Sequence, residues 1–295
     1  MTADGRRSRV TAHHDPELFW ALRGGNGNFG VVTAIEFEVY PVSELYAGAM
    51  FFPHERATEV LTAWDAITSD LPEEMMTWTS LIHFPDVPDV PEPLRGRPFT
   101  VFLAAFLGDE AEGAELLRPV RELGPDMDTF AMVPPAALAD MAMDPSEPLP
   151  VMSTTALVSE LPIEDLMAAV GPGSGSPLPL IQVRHMGGAL ARRTPGAGAR
   201  ATLPGNYCVF SLGVPVDEPS SEQVARYLGA ADRAADPYRV GEYPNFVEHP
   251  AETSRFFDPR TWARLREVKA MRDPEDLFRG NHHIPPATVP ASEAG

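Results

Sequence analysis

The sequence predicts an α+β fold, a large sheet of long antiparallel strands with helices on one face. Three observations carry this prediction. "FTVFLAAFLG" is apolar on both faces, as a central strand is. "ERATEVLTAWDAITSDL" places Val60, Trp64, Ile67 and Leu71 at helical spacing. Strand-like and helix-like runs then recur through the second half, with Gly- and Pro-rich breaks between them.

Residues 1–12 and 30–40 read as strands, the second because "VVTAIEFEVYPV" alternates and is rich in β-branched residues. Between them "DPELFWALR" reads as a short helix. Asp15 is its N-cap, Pro16 suits the first helical position and Glu17 favours the first turn. "LYAGAMFF" is a strand. "MTWTSLIHF" alternates, with Met76, Trp78, Ile82 and Phe84 on one face. "DVPDVPEPLRGRP" is a proline-rich loop that cannot supply a ladder of donors. "DEAEGAELLRPVREL" is a helix with acids in its first turn. In the second half "VMSTTALVSEL" is a strand and "PIEDLMAAV" a short helix. The turn "GPGSGSPLP" leads to the strand "LIQVRHMGGAL". "RRTPGAGARATLPG" is a loop, "NYCVFSLGVP" a strand and "SSEQVARYLGAADRAA" a helix. The last segment carries two helix starts of one design, Asp258-Pro259 and Asp273-Pro274, with Gly280 ending the second helix. "PPATVPASEAG" has the composition of a frayed tail.

A chain of 295 residues holds one large domain or two ordinary ones. Its 44% hydrophobic and 22% charged content is that of a soluble globular protein. No apolar run reaches the length of a bilayer span. "MTADGRRSRVTAHHD" lacks the apolar stretch of a signal peptide, so the sequence as written is expected in the cytoplasm. A net charge of −19 argues against nucleic acid and against an anionic membrane surface as partners. Cys208 is the single cysteine and reads as a small buried hydrophobe. Adjacent residues of His13-His14 and His282-His283 point in opposite directions, so no metal site is expected.

Within "LRGGNGNFGVVT", Gly25-Asn26-Gly27-Asn28-Phe29-Gly30 fits G-x-G-x-x-G. In a dinucleotide-binding βα turn the glycines leave a strand and open a helix. Here they leave a helix and open a strand, so a Rossmann turn is not predicted. Gly24 and Gly25 suffice for a C-cap and tight turn. His185 in "VRHMGG" and the turn "YPNF", Tyr243 to Phe246, are the remaining polar candidates. The residues alone leave the function open.

Three ordered stretches resemble the FAD-linked oxidases of the berberine bridge enzyme-like group, within the vanillyl-alcohol oxidase (PCMH-type) flavoprotein superfamily. "DPELFWALRGGNGNFGVVT" is similar to the group's "DLFWALRGGGGNFGVVT". "GPGSGSPLPLIQVRHMGGALAR" resembles the strand and Gly-Gly-Ala turn of its substrate domain. "YPNF" followed by "RLREVKAMRDPEDLFRGNHHIPP" resembles its C-terminal segment, V-K-x-x-Y-D-P-x-N-x-F-R-x-N-x-N-I-P-P. The matches run from Asp15 to Pro286. This chain departs from the pattern at Arg272, Asp276 and His283, where the group has Tyr, Asn and Asn; Asn281 is retained.

The resemblance implies a domain plan: 1–42 the C-terminal part of the FAD-binding domain, 43–237 the α+β substrate domain, 238–288 a segment packing back on the FAD domain, and 289–295 a tail. It implies FAD as cofactor, with Gly27, Asn28, Gly30, Val31, Val32, Asn245 and Asn281 beside it. The implied reaction is oxidation of an alcohol, sugar hydroxyl or amine of a small molecule, with hydride passing to the flavin N5 and O2 reoxidising the flavin. Tyr243 is the implied base or substrate-orienting phenol. A phenol of pKa about 10 needs a positive or hydrogen-bonding neighbour to serve as base. Gln182 and His185 are the implied substrate-binding residues. Strand alternation sends Gln182 and Arg184 one way and His185 the other.

The group's flavin-attachment motifs, R-x-G-G-H and G-V-C-x-x-x-G, do not occur here. "MTADG" resembles an internal V-T-A-D-G of the group. The expectation is therefore a chain lacking the group's N-terminal FAD-binding region. Two rivals to a working flavoenzyme follow: a non-catalytic remnant, and one half of a split enzyme that needs a separately encoded N-terminal chain.

Overall fold

A computed structural model describes residues 1–141, 148–248 and 251–288; the expected tail 289–295 lies outside the described residues. In chain order the helices are α1 (Pro16–Leu22), α2 (Ala57–Thr68), α3 (Glu110–Leu116), α4 (Arg118–Arg121), α5 (Leu138–Met141), α6 (Ile163–Val170), α7 (Glu218–Ala235) and α8 (Pro259–Arg272). The strands are β1 (Leu45–Pro53), β2 (Met75–His83), β3 (Pro98–Phe106), β4 (Met127–Asp128), β5 (Ala131–Val133), β6 (Met152–Val158), β7 (Leu180–His185), β8 (Tyr207–Gly213) and β9 (Arg239–Gly241). Two units emerge. The sheet unit comprises Tyr40–Ala189 and Pro204–Phe246; the glycine-turn unit comprises Met1–Val39, Leu190–Leu203 and the chain from Val247 onward.

In the sheet unit every pairing is antiparallel, in the order β4-β1-β3-β2-β7-β8-β6-β9, with β5 beside β1. The strand predicted to be central is β3, which lies between β1 and β2 with Phe99 and Val101 buried on one face and Thr100 and Phe102 on the other. The register sets Trp78 opposite Arg184, Ser80 opposite Gln182, and Gln182 opposite Phe210.

One face carries the helices. Val60, Leu61 and Trp64 of α2, Leu166 and Val170 of α6, and Val224 and Leu228 of α7 bury against Met50, Phe52, Leu81, Phe102, Val183 and Val209. Full burial of a Leu or Phe side chain contributes about 1.5–3 kcal/mol, so this layer dominates the stability of the unit. Trp64 closes it with a polar handle, its indole N–H donating to Thr77 Oγ1 at 2.9 Å. The predicted face Met76, Trp78, Ile82 and Phe84 is the one turned away from the helices; Thr77, Thr79 and Leu81 point towards them. Cys208 is buried in β8, where burial pushes its thiol pKa up, as expected of a structural cysteine.

The glycine-turn unit packs Leu18 and Ala21 of α1 and Leu265 and Val268 of α8 with Phe29, Ala199 and Ile284. Asp15 caps α1 by accepting from Leu18 N at 3.3 Å, and Asp258 caps α8 by accepting from Arg260 N and Thr261 N. Arg264 of α8 pairs with Glu17 at 2.6 Å and lies 4.0 Å over the Trp20 ring.

Three expectations need correction. "DEAEGAELLRPVREL" is two helices, not one, because Pro119 has no N–H for the preceding turn and its ring crowds the carbonyl four residues back. Residues 1–12 and 30–40 form no strand. Their pairing stops at Met1 and Val31, which exchange backbone hydrogen bonds of 2.6 and 2.9 Å, followed by an Arg9–Glu36 ion pair. Beyond it Ile35, Phe37, Val39 and Tyr40 are 72–85% exposed. The alternation is present, but no strand among the described residues meets it, and a ladder needs two. Finally, Asp273-Pro274 starts no helix and Gly280 ends none, for a reason set out below. No described helix is long and apolar enough to cross a membrane.

Candidate functional site

The glycine turn is locked from beneath. Gly25 is required by close approach: a Cβ there would sit 2.4 Å from both Ala21 O and the Phe29 ring. Gly27 is required by its backbone, with φ +74°, and the space beside its Cα is open. Gly30 backs onto the Met1 carbonyl. Phe29 fills the core beneath the turn.

Asn28 is fully buried and its amide is fully engaged. Its Nδ2 donates to Gly25 O, Asn26 O and His282 O at 2.8, 3.2 and 2.8 Å. Its Oδ1 accepts from Gly280 N and Ile284 N at 3.4 and 3.0 Å. One side chain therefore stitches the turn to the C-terminal segment. Asn281, in that segment, donates to Val247 O at 3.3 Å.

Beside Asn28 lies Lys269, the one lysine among 23 Lys and Arg residues. Its ammonium contacts Asp273 Oδ2 at 2.5 Å, Phe278 O at 2.5 Å, Asn28 O at 3.0 Å and Asp276 Oδ1 at 3.2 Å. Burial pushes the Asp273 carboxyl up, but the bonds it accepts from Lys269, Phe278 N and Leu277 N outweigh it and hold the pKa below the usual range. That carboxylate receives the N–H groups of residues four and five positions on, at 2.8 Å each. It is thereby committed to a loop rather than to capping a helix at Pro274. Asp276 and His283, two departures from the group's pattern, pair with each other at 2.9 Å. Sequence reading missed Lys269; its solitude among arginines was the available signal.

In the sheet unit, the face away from the helices gathers the polar candidates. Gln182 is buried, donates from Nε2 to Ser80 Oγ at 3.2 Å and accepts from Arg184 Nε at 2.5 Å. The Arg184 guanidinium lies 5.0 Å from the centre of the Phe246 ring. Phe246, in the short turn Pro244–Phe246, also packs against Phe210 at 4.9 Å and edge-to-face against Tyr243 at 5.0 Å. Tyr243 is half-buried, and its hydroxyl has no hydrogen-bond partner among the described residues. Asn245 is exposed. Structure thus brings Tyr243 and Gln182 into one cluster through Arg184 and Phe246, neither of which was a predicted site residue.

His185 is on the other side of the sheet. Its ring lies 5.9 Å from that of Tyr207, whose hydroxyl donates to Asp65 and meets Thr68 Oγ1 at 2.6 Å. Burial lowers the His185 pKa and raises that of Tyr207. The alternation predicted for β7 is the reason for this separation.

No family model matches the chain. In sequence it is 28% identical to the FAD-linked oxidoreductase aurO of Gibberella zeae, over 97% of this chain and 56% of that protein. Physcomitrella patens BBE-like 1 superposes with a TM-score of 0.81 at 16% identity, over 98% of this chain and 64% of that one. The chain is a relative of the FAD-linked oxidoreductases and has the berberine bridge enzyme-like fold. A chitooligosaccharide oxidase shares this oxidoreductase fold at a TM-score of 0.74 and 18% identity, over 97% and 65% of the two chains. The chain spans about three fifths of the length of these relatives.

Set against FAD, the glycine-turn unit fits as backbone and apolar surface. Gly27 has open space at its Cα, and Val31 and Val32 are 48% and 63% exposed. The Asn28 amide has no capacity left for a ligand. A cleft of about 310 Å³ in the same unit, lined by Asp4, Asp273 and Glu275 as well as Arg272, is too acidic to suit a diphosphate.

Proposed function

We propose that this chain carries the substrate domain of an FAD-dependent oxidoreductase that oxidises an alcohol, sugar hydroxyl or amine of a small molecule. The observation that carries this reading is the cluster of Gln182, Arg184, Phe246 and Tyr243 on the face of the sheet opposite α2, α6 and α7. When bound, the flavin supplies the hydride acceptor and O2 restores it. The chain's own contribution is orientation and proton handling. Tyr243 offers an uncommitted hydroxyl as base or substrate-orienting group, on the same Phe246 ring that Arg184 packs against. Gln182 takes the substrate side of β7, and His185 does not share that wall.

In this reading 1–42 and 238–288 serve the flavin and 43–237 the substrate. Within the glycine-turn unit Gly27, Gly30, Val31, Val32 and Asn281 serve the cofactor, while Asn28 holds the turn in shape.

A second reading is favoured by the exposed alternation of Ile35, Phe37, Val39 and Tyr40: FAD is held only when a further N-terminal FAD-binding chain pairs with that run. One experiment separates the two. The purified chain is mixed with FAD, desalted, and its visible spectrum recorded. A retained flavin band, bleached by substrate in the native chain and not in Tyr243→Phe, supports the first reading. A colourless protein supports the second, and a retained band that no alcohol, sugar or amine bleaches defeats the first.

A further inference from the structure

We propose that Arg184 is a specificity-determining residue that recognises a carboxylate, so that the small molecule oxidised here carries an acid group besides the hydroxyl or amine that reacts. This rests on the reading above, in which the face of the sheet opposite α2, α6 and α7 is the substrate wall.

Among the described residues Arg184 is the one charged side chain on that face of the six long strands. Trp78 and Cys208 lie opposite it on the two adjoining strands, with Ser80, Gln182 and Phe210 on the same face. A half-buried cation without a counter-ion is costly to hold in such surroundings. Among the described residues Arg184 makes no ion pair, and its side chain is held by Nε donating to Gln182 and by the Phe246 ring under its guanidinium.

Those two contacts fix the group without consuming its fork. Gln182 occupies Nε–H and is itself held by Ser80, so the side chain is oriented through two hydrogen bonds in series. Among the described residues the two terminal amino groups have no hydrogen-bond partner, which leaves the end-on, two-donor edge that matches the paired oxygens of a carboxylate. Trp78 opposite it across the ladder and Phe210 and Phe246 beside it supply apolar surface for the rest of the ligand. A chain of net charge −19 repels anions at long range, so recognition has to come from a short-range contact of this kind.

Benzoate and its neutral analogue benzyl alcohol are the probes, titrated into the full chain at low salt by calorimetry, with no flavin present. The expected result is that the native chain prefers benzoate by about tenfold or more, that Arg184→Gln abolishes the preference, and that Arg184→Lys, which keeps charge without the fork, retains only part of it. Circular dichroism melts establish that both variants fold. No preference for the anion in the native chain, binding of neither probe included, overturns the proposal, as does an undiminished preference in a folded Arg184→Gln chain. The flavin reading fails separately: benzoate binding by a chain that takes up no FAD leaves Arg184 recognition standing, and a flavin reduced equally well by neutral and acidic alcohols leaves the oxidoreductase standing without it.

Discussion

Lys269 Nζ lies 2.5 Å from Asp273 Oδ2, and the two side chains are 0% and 1% exposed. The pair is the centre of the glycine-turn unit. A single ammonium joins the Asp273 and Asp276 carboxylates to the backbone carbonyls of Asn28, in the turn itself, and of Phe278, in the C-terminal segment. A guanidinium is planar and longer and cannot converge on these acceptors from one point.

It follows that Lys269→Arg fails to restore what Lys269→Met removes. Breaking a buried pair by deleting one partner costs about 3–5 kcal/mol, and both variants are expected in that range. Urea unfolding at neutral pH checks this. An arginine variant within about 1 kcal/mol of the native chain, a surface-like effect, would show that charge rather than shape is what this position requires.

Asn28 makes a sharper case, because its amide faces carbonyls with one end and N–H groups with the other. Asn28→Asp keeps the volume and inverts the polarity of the donor end, placing an anionic oxygen against Gly25 O and His282 O. The aspartate variant is therefore expected to be less stable than Asn28→Ala at neutral pH, since an unpaired buried charge costs more than lost hydrogen bonds. Acid should narrow the gap by protonating the introduced carboxyl. Thermal melts of both variants at two pH values decide it, and equal melting temperatures throughout would refute the clasp.

The two glycines of the turn separate folding from ligand contact. Gly25→Ala drives a methyl into a carbonyl and a phenyl ring, whereas Gly27→Ala meets only the left-handed backbone penalty of about 1–2 kcal/mol. The first should cost clearly more stability than the second. If the open side of Gly27 is where FAD approaches, Gly27→Ala should lose flavin out of proportion to its modest loss of stability. Flavin retained equally by native chain and Gly27→Ala would remove Gly27 from the cofactor contact.

How far the sequence foretold all this depends on whether the determinant was local. The burial of β3 on both faces, the inward stripe of α2 and the opposed directions of Gln182 and His185 are properties of a few consecutive residues, and each was readable as periodicity. The run after Val31 has an equally clear period, yet a ladder depends on a second strand that no local pattern supplies. Asp273-Pro274 spells a helix start, but the carboxylate is claimed by Lys269 from the preceding helix and by N–H groups further along the loop. Arg184 escaped because its significance lies in what the other five long strands place beside it, not in its own neighbours in sequence.

Acid stability offers a test of the sheet unit. His54 and His83 stack edge to face at 4.9 Å. Burial, and for His54 the charge of its partner, lowers the pKa of both, and burial lowers that of His185 as well. His54 Nδ1 is also buried without a hydrogen-bond partner among the described residues. The folded chain thus resists protonation that the unfolded chain accepts near pH 6.5. The stability these groups contribute is fully present above about pH 6.5 and is lost as pH falls from there towards the lower folded values. His54→Phe keeps the edge-to-face contact and removes one of the titrating groups. Urea midpoints measured from about pH 8 down to about pH 5.5 should then fall less steeply in the variant, in the window that begins at the ordinary histidine pKa. An identical slope in both proteins would mean that the pair carries none of the pH dependence.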